Sequence, residues 1–472
     1  MNIDRNDNKG DIRRGITQTA QVLLLLMGVL ALHIVCLQIF AADELKNNPL
    51  NRRHGQIAAE IKRGSILAAD GAILAYSDEN GRHRPLNESA AFITGYASEK
   101  LGSTGIENFA NAALNGENPT AEKLGPIGKL LRSPQGADVW LTVDSRLQRA
   151  AHAALSGKRG AAIVLDATTG AVLAMVSAPA FDPNTVDADW ERLSVDENRP
   201  LLNRATMGLY PPGSTIKPVI ADAALAEGIT SDNEIFICEG KLDVGGGYFI
   251  NESHDAVHGR VKLADAVAES CNVAFGTLAQ RLGEKKLLAA FERFGFAKAG
   301  ADELTWNAAH LPPTSPPLDE GDVAQLGIGQ SYLLASPMTM ALTAAAFFND
   351  GEVMRPYIID RITDVRGDDI LKTKPQVYFT ATTAERAQKI KSYLQGVVDR
   401  GTGRAVQLRG ATIAGKTGTA ETPNGEDHAW FIGGATVGKK RVAFAVVVEN
   451  GGSGAEVAVP VARDIIAALK EN

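Results

Sequence analysis

Between Arg14 and Asp43 the chain contains no Asp, Glu, Lys or Arg, and the centre of that stretch reads VLLLLMGVLALHIVCLQIF. About 20 apolar residues cross a bilayer, and this run exceeds the roughly 7–15 of a cleaved leader's apolar core. The small residues of FAADE would suit cleavage, but the length predicts an uncleaved transmembrane anchor. Arg5, Lys9, Arg13 and Arg14 precede the run, and Asp43 and Glu44 follow it. The positive-inside rule therefore places the N-terminus in the cytoplasm and the rest of the chain outside. His33, within the run, reads as a packing residue.

Beyond the anchor, DELKNNPLNRRHGQ has turn residues and no sustained period, as expected of a linker. In RGSILAADGAILAYS two apolar runs flank Asp70-Gly71, which predicts a β-hairpin. VDSRLQRAAHAALSG carries apolar residues at helical spacing before a glycine. The pattern then changes. GAAIVLDATTGAVLAMVSAP predicts a second hairpin, and a long helical section is expected from about residue 185 to about residue 300. LPPTSPPLDEG reads as a rigid loop and SPMTMALTAAAFFNDG as a helix. ATIAGKTGTAET, HAWFIGGATVG and KRVAFAVVVENGG read as three strands, and VPVARDIIAALKEN as a closing amphipathic helix. Strands at both ends with helices between them predict an α+β domain: one antiparallel sheet with a helical lobe inserted.

Composition narrows the partners. The chain is 45% hydrophobic, and 48 Lys+Arg face 55 Asp+Glu. No basic stripe with interleaved aromatics occurs, so nucleic acid is excluded as an expected partner. Three cysteines do not make a disulfide scaffold. Cys36 falls in the span and is expected as a small buried group, while Cys238 and Cys271 are open between a bridge and two buried thiols.

Three short motifs bear chemistry. In GLYPPGSTIKPVIADAALAEG, Lys217 follows Ser214 by one helical turn on the same face. Gly213 allows a sharp entry, and Pro218 is tolerated in a first turn. A serine hydroxyl needs a neighbouring base to act as nucleophile. Lysine serves only where burial or nearby cations lower its pKa from about 10.4. The helix start would also offer N–H groups to an oxyanion. Alone, the pair reads as an N-cap serine and a surface lysine. ESCN places Ser270 and Asn272 between two apolar-periodic segments, where a hydroxyl could relay a proton and an amide hold a carbonyl; alone it is a polar turn. AGKTGTAE sets Gly415 and Gly418 inside a strand-like run, and glycine there marks close backbone approach. An extended peptide could pair along it, with Lys416 facing a carboxylate and Thr419 offering a hydroxyl and an N–H. Alone it is a hairpin turn with a solvated lysine. In this order the three are the set found in penicillin-binding proteins and serine β-lactamases.

The chain at this point resembles the monofunctional, class B penicillin-binding proteins, the peptidoglycan D,D-transpeptidases, over nearly its whole length. RGSILAADGAILA is similar to the family's Arg-Gly-x-Ile opening, GSTGIE to its Gly-x-x-Gly-Ile-Glu segment and LTVDSRLQ to the start of its catalytic domain. VLDATTGAVLAMVSAPAFDPN and HAWFIGGA resemble stretches flanking the family's active site. The size resembles the compact, PbpA-type members. The resemblance implies a cytoplasmic tail and anchor in 1–45 and a small α+β pedestal for dimerisation or partner contact in 46–155. A penicillin-binding/serine β-lactamase-like transpeptidase domain would occupy 156–472.

By resemblance, Ser214 is acylated by the penultimate D-Ala of a stem peptide, and β-lactams acylate it in the substrate's place. Lys217 is its general base, Ser270 passes the proton on and Asn272 holds the donor. Lys416, Thr417 and Thr419, with Gly418 between them, bind the terminal carboxylate and tune the base. The N–H groups of Ser214 and Thr419 form the oxyanion hole. No metal or organic cofactor is implied. A SEDS-type glycosyltransferase (RodA or FtsW class) in the bacterial plasma membrane is the implied partner, for cell shape or division. A β-lactamase shares the acylation chemistry, but the anchor and pedestal count against it. A membrane scaffold with little catalysis of its own is compatible with the same residues. His254 and His258 in NESHDAVHGR have metal-ligand spacing but read as a polar loop.

Overall fold

The computed structural model describes residues 7–39, 62–117, 135–313, 315–423 and 425–471. The expected linker, DELKNNPLNRRHGQ, lies outside them. The chain divides into two compact units, residues 1–60 and 61–472.

In the first unit, helix Asp7–Ile39 contains a span of 24 residues, Arg14–Leu37, with mean hydropathy 2.5 and no buried surface. At 1.5 Å per residue it is about 36 Å long, enough for a hydrocarbon core of about 30 Å. Cys36 lies on the surface of this helix, within the span.

The second unit holds two larger sheets. The predicted hairpin around Asp70-Gly71 forms from strands Ile66–Leu67 and Ile73–Asp78, with Gly71 in the left-handed region. It belongs to a six-stranded sheet running Asp369–Lys372, Ile359–Thr363, Asp138–Leu141, Ile66–Leu67, Ile73–Asp78, Gly81–His83. The first two strands come from far along the chain, so the pedestal sheet is completed by a hairpin of the C-terminal region. Arg361 lies over the Trp140 ring at 4.4 Å across that seam. Glu107 of GSTGIE is fully buried and ion-paired to Arg63, Arg82 and Arg84 at 2.7, 2.7 and 3.2 Å. Burial alone would raise its pKa, but the three guanidinium groups hold it below the usual carboxylate range.

The five-stranded sheet has the order Ala411–Ala420, His428–Val437, Lys440–Val448, Gly160–Asp166, Val172–Ala178, every pair antiparallel. Both ends of the domain contribute, as the strand pattern predicts. Helices Ser145–Ala154 and Val459–Ala468 cover one face, packing Leu147, Ala151, Ile465 and Ile466 near Phe431 and Phe444. Helix Pro337–Phe348 covers the other. All twelve of its residues are buried, which explains an apolar pattern on every side. Ser336 caps it by accepting from Thr339 N at 3.2 Å.

The stretch from 185 to 300 differs from the helical expectation. Four short strands, Ile235–Cys238, Lys241–Asp243, Phe249–Asn251 and Gly259–Lys262, interrupt it. Ile235–Cys238 alternates exposed and buried residues, the period of a half-buried strand that four residues are too few to announce.

Candidate active site

Ser214 lies on a short 3-10 turn, Gly213–Ile216, that runs directly into helix Lys217–Ala226 with a proline in its first turn. Gly213 has φ +53°, and a Cβ on it would lie 2.7 Å from the Thr419 carbonyl oxygen. Only glycine combines that conformation with that approach. The segment before the serine is fastened by three hydrogen bonds. Tyr210 N donates to Ala335 O at 3.1 Å, Gly213 N to Gly329 O at 2.9 Å, and Trp430 Nε1 to Pro211 O at 3.0 Å. Ser214 is half-buried, and its hydroxyl forms no hydrogen bond with any described residue.

Lys217 is completely buried and donates to Ser270 O at 2.6 Å, Ser270 Oγ at 3.1 Å and Asn272 Oδ1 at 2.7 Å. The first two motifs therefore meet at one amine. Burial lowers its pKa to about 8, against the opposing pull of Glu252 and Cys271. Ser270 sits between helices Leu263–Ala268 and Asn272–Arg293 with φ +63°, a strained conformation for a residue with a side chain. Asn272 opens the second helix, and its Nδ2 donates to Asn251 O at 2.8 Å.

The third motif lies in strand Ala411–Ala420, unbroken by its glycines and the outermost of the sheet. A Cβ on Gly418 would lie 2.8 Å from Thr215 Cγ2 and 3.1 Å from Pro212 O, so the strand rests directly on the turn that carries Ser214. Lys416 is buried and donates to Thr417 O at 3.1 Å. Burial first, and then the nearby Lys217 charge, hold it well below its ordinary pKa. Thr417 Oγ1 shares a hydrogen bond of 2.5 Å with Thr402 Oγ1. Thr419 is exposed, and its Oγ1 accepts from Gly454 N at 3.3 Å. All eight residues singled out by sequence thus line one junction of turn, lobe and strand.

Glu252 had no sequence signal. Glu252 accepts from Asn272 N at 2.9 Å and Val273 N at 2.8 Å, capping the helix that Asn272 opens. The Cys238 and Cys271 thiols donate to the same carboxylate at 3.3 and 3.1 Å. Burial would raise the Glu252 pKa, but these donors and Lys217 lower it. Both cysteines are free and buried. With Glu252 and His258 they form a group whose ligating atoms all lie within 4.8 Å of one another. Two thiols, an imidazole and a carboxylate are donors of the type that hold zinc. An ion there would tie the Ile235–Cys238 strand to the turn bearing Ser270. The members of this set are scattered along the chain, so the sequence reading did not weigh them together. His254, paired with His258 by spacing, is not among them.

A second buried group stands behind the serine. Glu449 accepts from Tyr210 Oη at 2.7 Å and pairs with Arg204 at 2.8 Å and Arg159 at 3.2 Å. Tyr210 packs edge-on against Trp430, so the sheet's end and the approach to Ser214 form one block.

A serine freed for attack, a buried low-pKa lysine and a threonine-bearing edge strand define a serine acyltransferase of the penicillin-binding class. Residues 160–467 match the penicillin binding protein transpeptidase domain, and 63–139 match the penicillin binding protein A dimerisation domain. The chain is 33% identical over 494 residues to the peptidoglycan D,D-transpeptidase PbpA of Mycolicibacterium smegmatis, covering 97% of this chain and 99% of that one. Two solved structures are also similar. The D,D-transpeptidase domain of an Eggerthella lenta peptidoglycan glycosyltransferase has TM-score 0.79 and 32% identity, covering 87% of this chain and 99% of that one. Penicillin-binding protein A of M. tuberculosis, as a ceftriaxone acyl-enzyme complex, has TM-score 0.80 and 30% identity with the same coverage. The chain belongs to the penicillin-binding protein transpeptidase family.

Proposed function

We infer that this protein is a peptidoglycan D,D-transpeptidase, membrane-anchored, working through a serine acyl-enzyme and inhibited covalently by β-lactams. The observation that carries the site assignment is the buried Lys217 amine, bonded to both residues of the Ser-x-Asn turn one helical turn after an unpartnered Ser214 hydroxyl.

Ser214 Oγ attacks the carbonyl of the penultimate D-Ala while neutral Lys217 takes its proton. The tetrahedral oxygen is held by the N–H groups of Ser214 and Thr419. Collapse breaks the peptide bond, and the departing D-Ala amine receives its proton through Lys217 and Ser270. Asn272 orients the donor. Lys416, Thr417 and Thr419 receive the terminal carboxylate along the strand that Gly418 presses against the turn. That carboxylate supplies the counter-charge Lys416 lacks in its buried setting, so binding favours the charged amine. An amine from a second stem then attacks the ester, forms the cross-link and returns Ser214 to its hydroxyl form.

The domain division belongs to the same reading: tail and anchor 1–45, pedestal 46–155, transpeptidase domain 156–472. The N-terminus is cytoplasmic and the catalytic domain extracytoplasmic, on the bacterial plasma membrane, as the charge asymmetry around the span supports. The pedestal meets a SEDS-type glycosyltransferase in this reading. The test is covalent labelling of the full-length chain in detergent by a fluorescent penicillin. Wild type should label and hold the label for many minutes, and Ser214→Ala should not label. Equal labelling of the two would remove Ser214 from the mechanism, and rapid release would indicate a β-lactamase.

A further inference from the structure

Helix Asn272–Arg293 begins without a strong cap of its own. The residue before it is Cys271, whose thiol accepts from Ala274 N at 3.4 Å, and a thiol is a weak acceptor where serine, threonine or aspartate would serve. The N–H groups of Asn272 and Val273, at the open end of the helix, need partners from elsewhere. Glu252, 5% exposed, supplies both. Its Oε2 accepts from Asn272 N at 2.9 Å and its Oε1 from Val273 N at 2.8 Å. The negative charge also suits the positive end of a helix. The Cys238 and Cys271 thiols donate to Oε1 as well, at 3.3 and 3.1 Å.

The preceding residue grips the same asparagine by its side chain. Asn272 Nδ2 donates to Asn251 O at 2.8 Å, which leaves Oδ1 facing the Lys217 amine at 2.7 Å. Residues 251 and 252 thus fix Asn272 at its backbone and at its amide. They stand where strand Phe249–Asn251 leaves its antiparallel partner Lys241–Asp243, and Glu252 N donates to Gly240 O at 2.9 Å, so the clamp is anchored in that ribbon. The turn it holds needs such support. Ser270 has φ +63°, a conformation that persists only where the surroundings enforce it. Both Ser270 O and Ser270 Oγ accept from Lys217, so a turn that relaxed would carry the hydroxyl away from the amine.

We propose that Glu252 is a positioning residue for acylation: its carboxylate holds the Ser-x-Asn turn so that Ser270 and Asn272 meet the Lys217 amine. The proposal rests on the transpeptidase reading. Glu252→Gln keeps the shape but replaces one oxygen by an NH2 group, which in either orientation faces an N–H or a thiol donor. The test follows acylation of the full-length chain in detergent by a fluorescent penicillin. Rates are taken as the approach to each chain's own final labelling, which counts folded chains alone. Glu252→Gln should be slower than wild type by about tenfold or more, the cost of misplaced groups at a reacting centre. Glu252→Asp, which keeps both acceptor oxygens, should be faster than Glu252→Gln, and it carries the same comparison if the amide variant does not fold. In Ser270→Ala/Asn272→Ala, where no turn side chain is left to misplace, adding Glu252→Gln should cost less than about twofold. An equal loss in both backgrounds would reduce Glu252 to general structural support, and a Glu252→Gln chain as fast as wild type would remove it from acylation; either result overturns the proposal. A wild type that does not label overturns the transpeptidase reading itself, and this role with it.

Discussion

Burial removes the Lys217 amine from water yet leaves it three oxygen partners, and the balance is a pKa of about 8. In the proposed mechanism the base is the neutral form, so protonation below that value disables it. The second-order rate of penicillin acylation, which reports the free enzyme, should fall about tenfold per pH unit below the inflection and level off above it. Lys217→Ala should lower the plateau by about 10²–10⁴-fold, the usual contribution of a general base. A flat profile between about pH 6 and pH 10 would remove Lys217 from that role. The residues of the three motifs are legible in the sequence because serine acyl transfer restricts both type and spacing. Glu252 is not, because it bonds Asn272 across 20 residues that include a strand and a helix. Nor is Trp430, which reaches Pro211 across 219 residues. Such partners have no spacing rule, since only the folded chain brings them together.

Among the elements, helix Lys217–Ala226 is fastened at its middle and at the turn that leads into it. Asp222, fully buried, accepts from Arg293 at 2.7 Å, Arg386 at 3.1 Å and Thr382. Before the helix the Gly213 turn is wedged between the Thr419 carbonyl and Gly329. Gly213→Ala adds a Cβ at 2.7 Å from Thr419 O in a left-handed conformation. That conformation alone costs about 1–2 kcal/mol. The melting temperature should drop by at least about 1–2 °C, and penicillin acylation should slow at least about tenfold as strand and turn separate. Unchanged acylation in a destabilised variant would show that the turn matters for folding alone. Element types were legible where periodicity is sustained, as in the two predicted hairpins and helix Pro337–Phe348. They were misread between 185 and 300, where strands of three or four residues give a period too brief to separate from helix.

Across the whole molecule, the feature sequence could not announce is the seam between pedestal and catalytic region. Ile359–Thr363 pairs with Asp138–Leu141, joining segments on opposite sides of the active-site lobe in sequence. A strand pattern reveals that a strand exists, whereas its partner is decided by long-range packing. Domain matches ending at residue 139 and beginning at residue 160 leave this hairpin inside the catalytic match, although its hydrogen bonds lie in the pedestal sheet. Removing everything before residue 156 would therefore uncover the edge of Ile359–Thr363 and the apolar side of Ile359 and Ile362, both buried in the intact chain. Helix Ser145–Ala154 would be lost with it, exposing the face of the five-stranded sheet that Leu147 and Ala151 cover. An unpaired strand edge beside fresh apolar surface invites association. A fragment beginning at residue 156 should elute as aggregate in size-exclusion chromatography and label poorly with penicillin, while a fragment beginning at residue 62 should elute as a discrete species and label fully. A discrete, fully labelled 156–472 fragment would mean that the catalytic region holds itself together and that the shared sheet serves only to orient the pedestal.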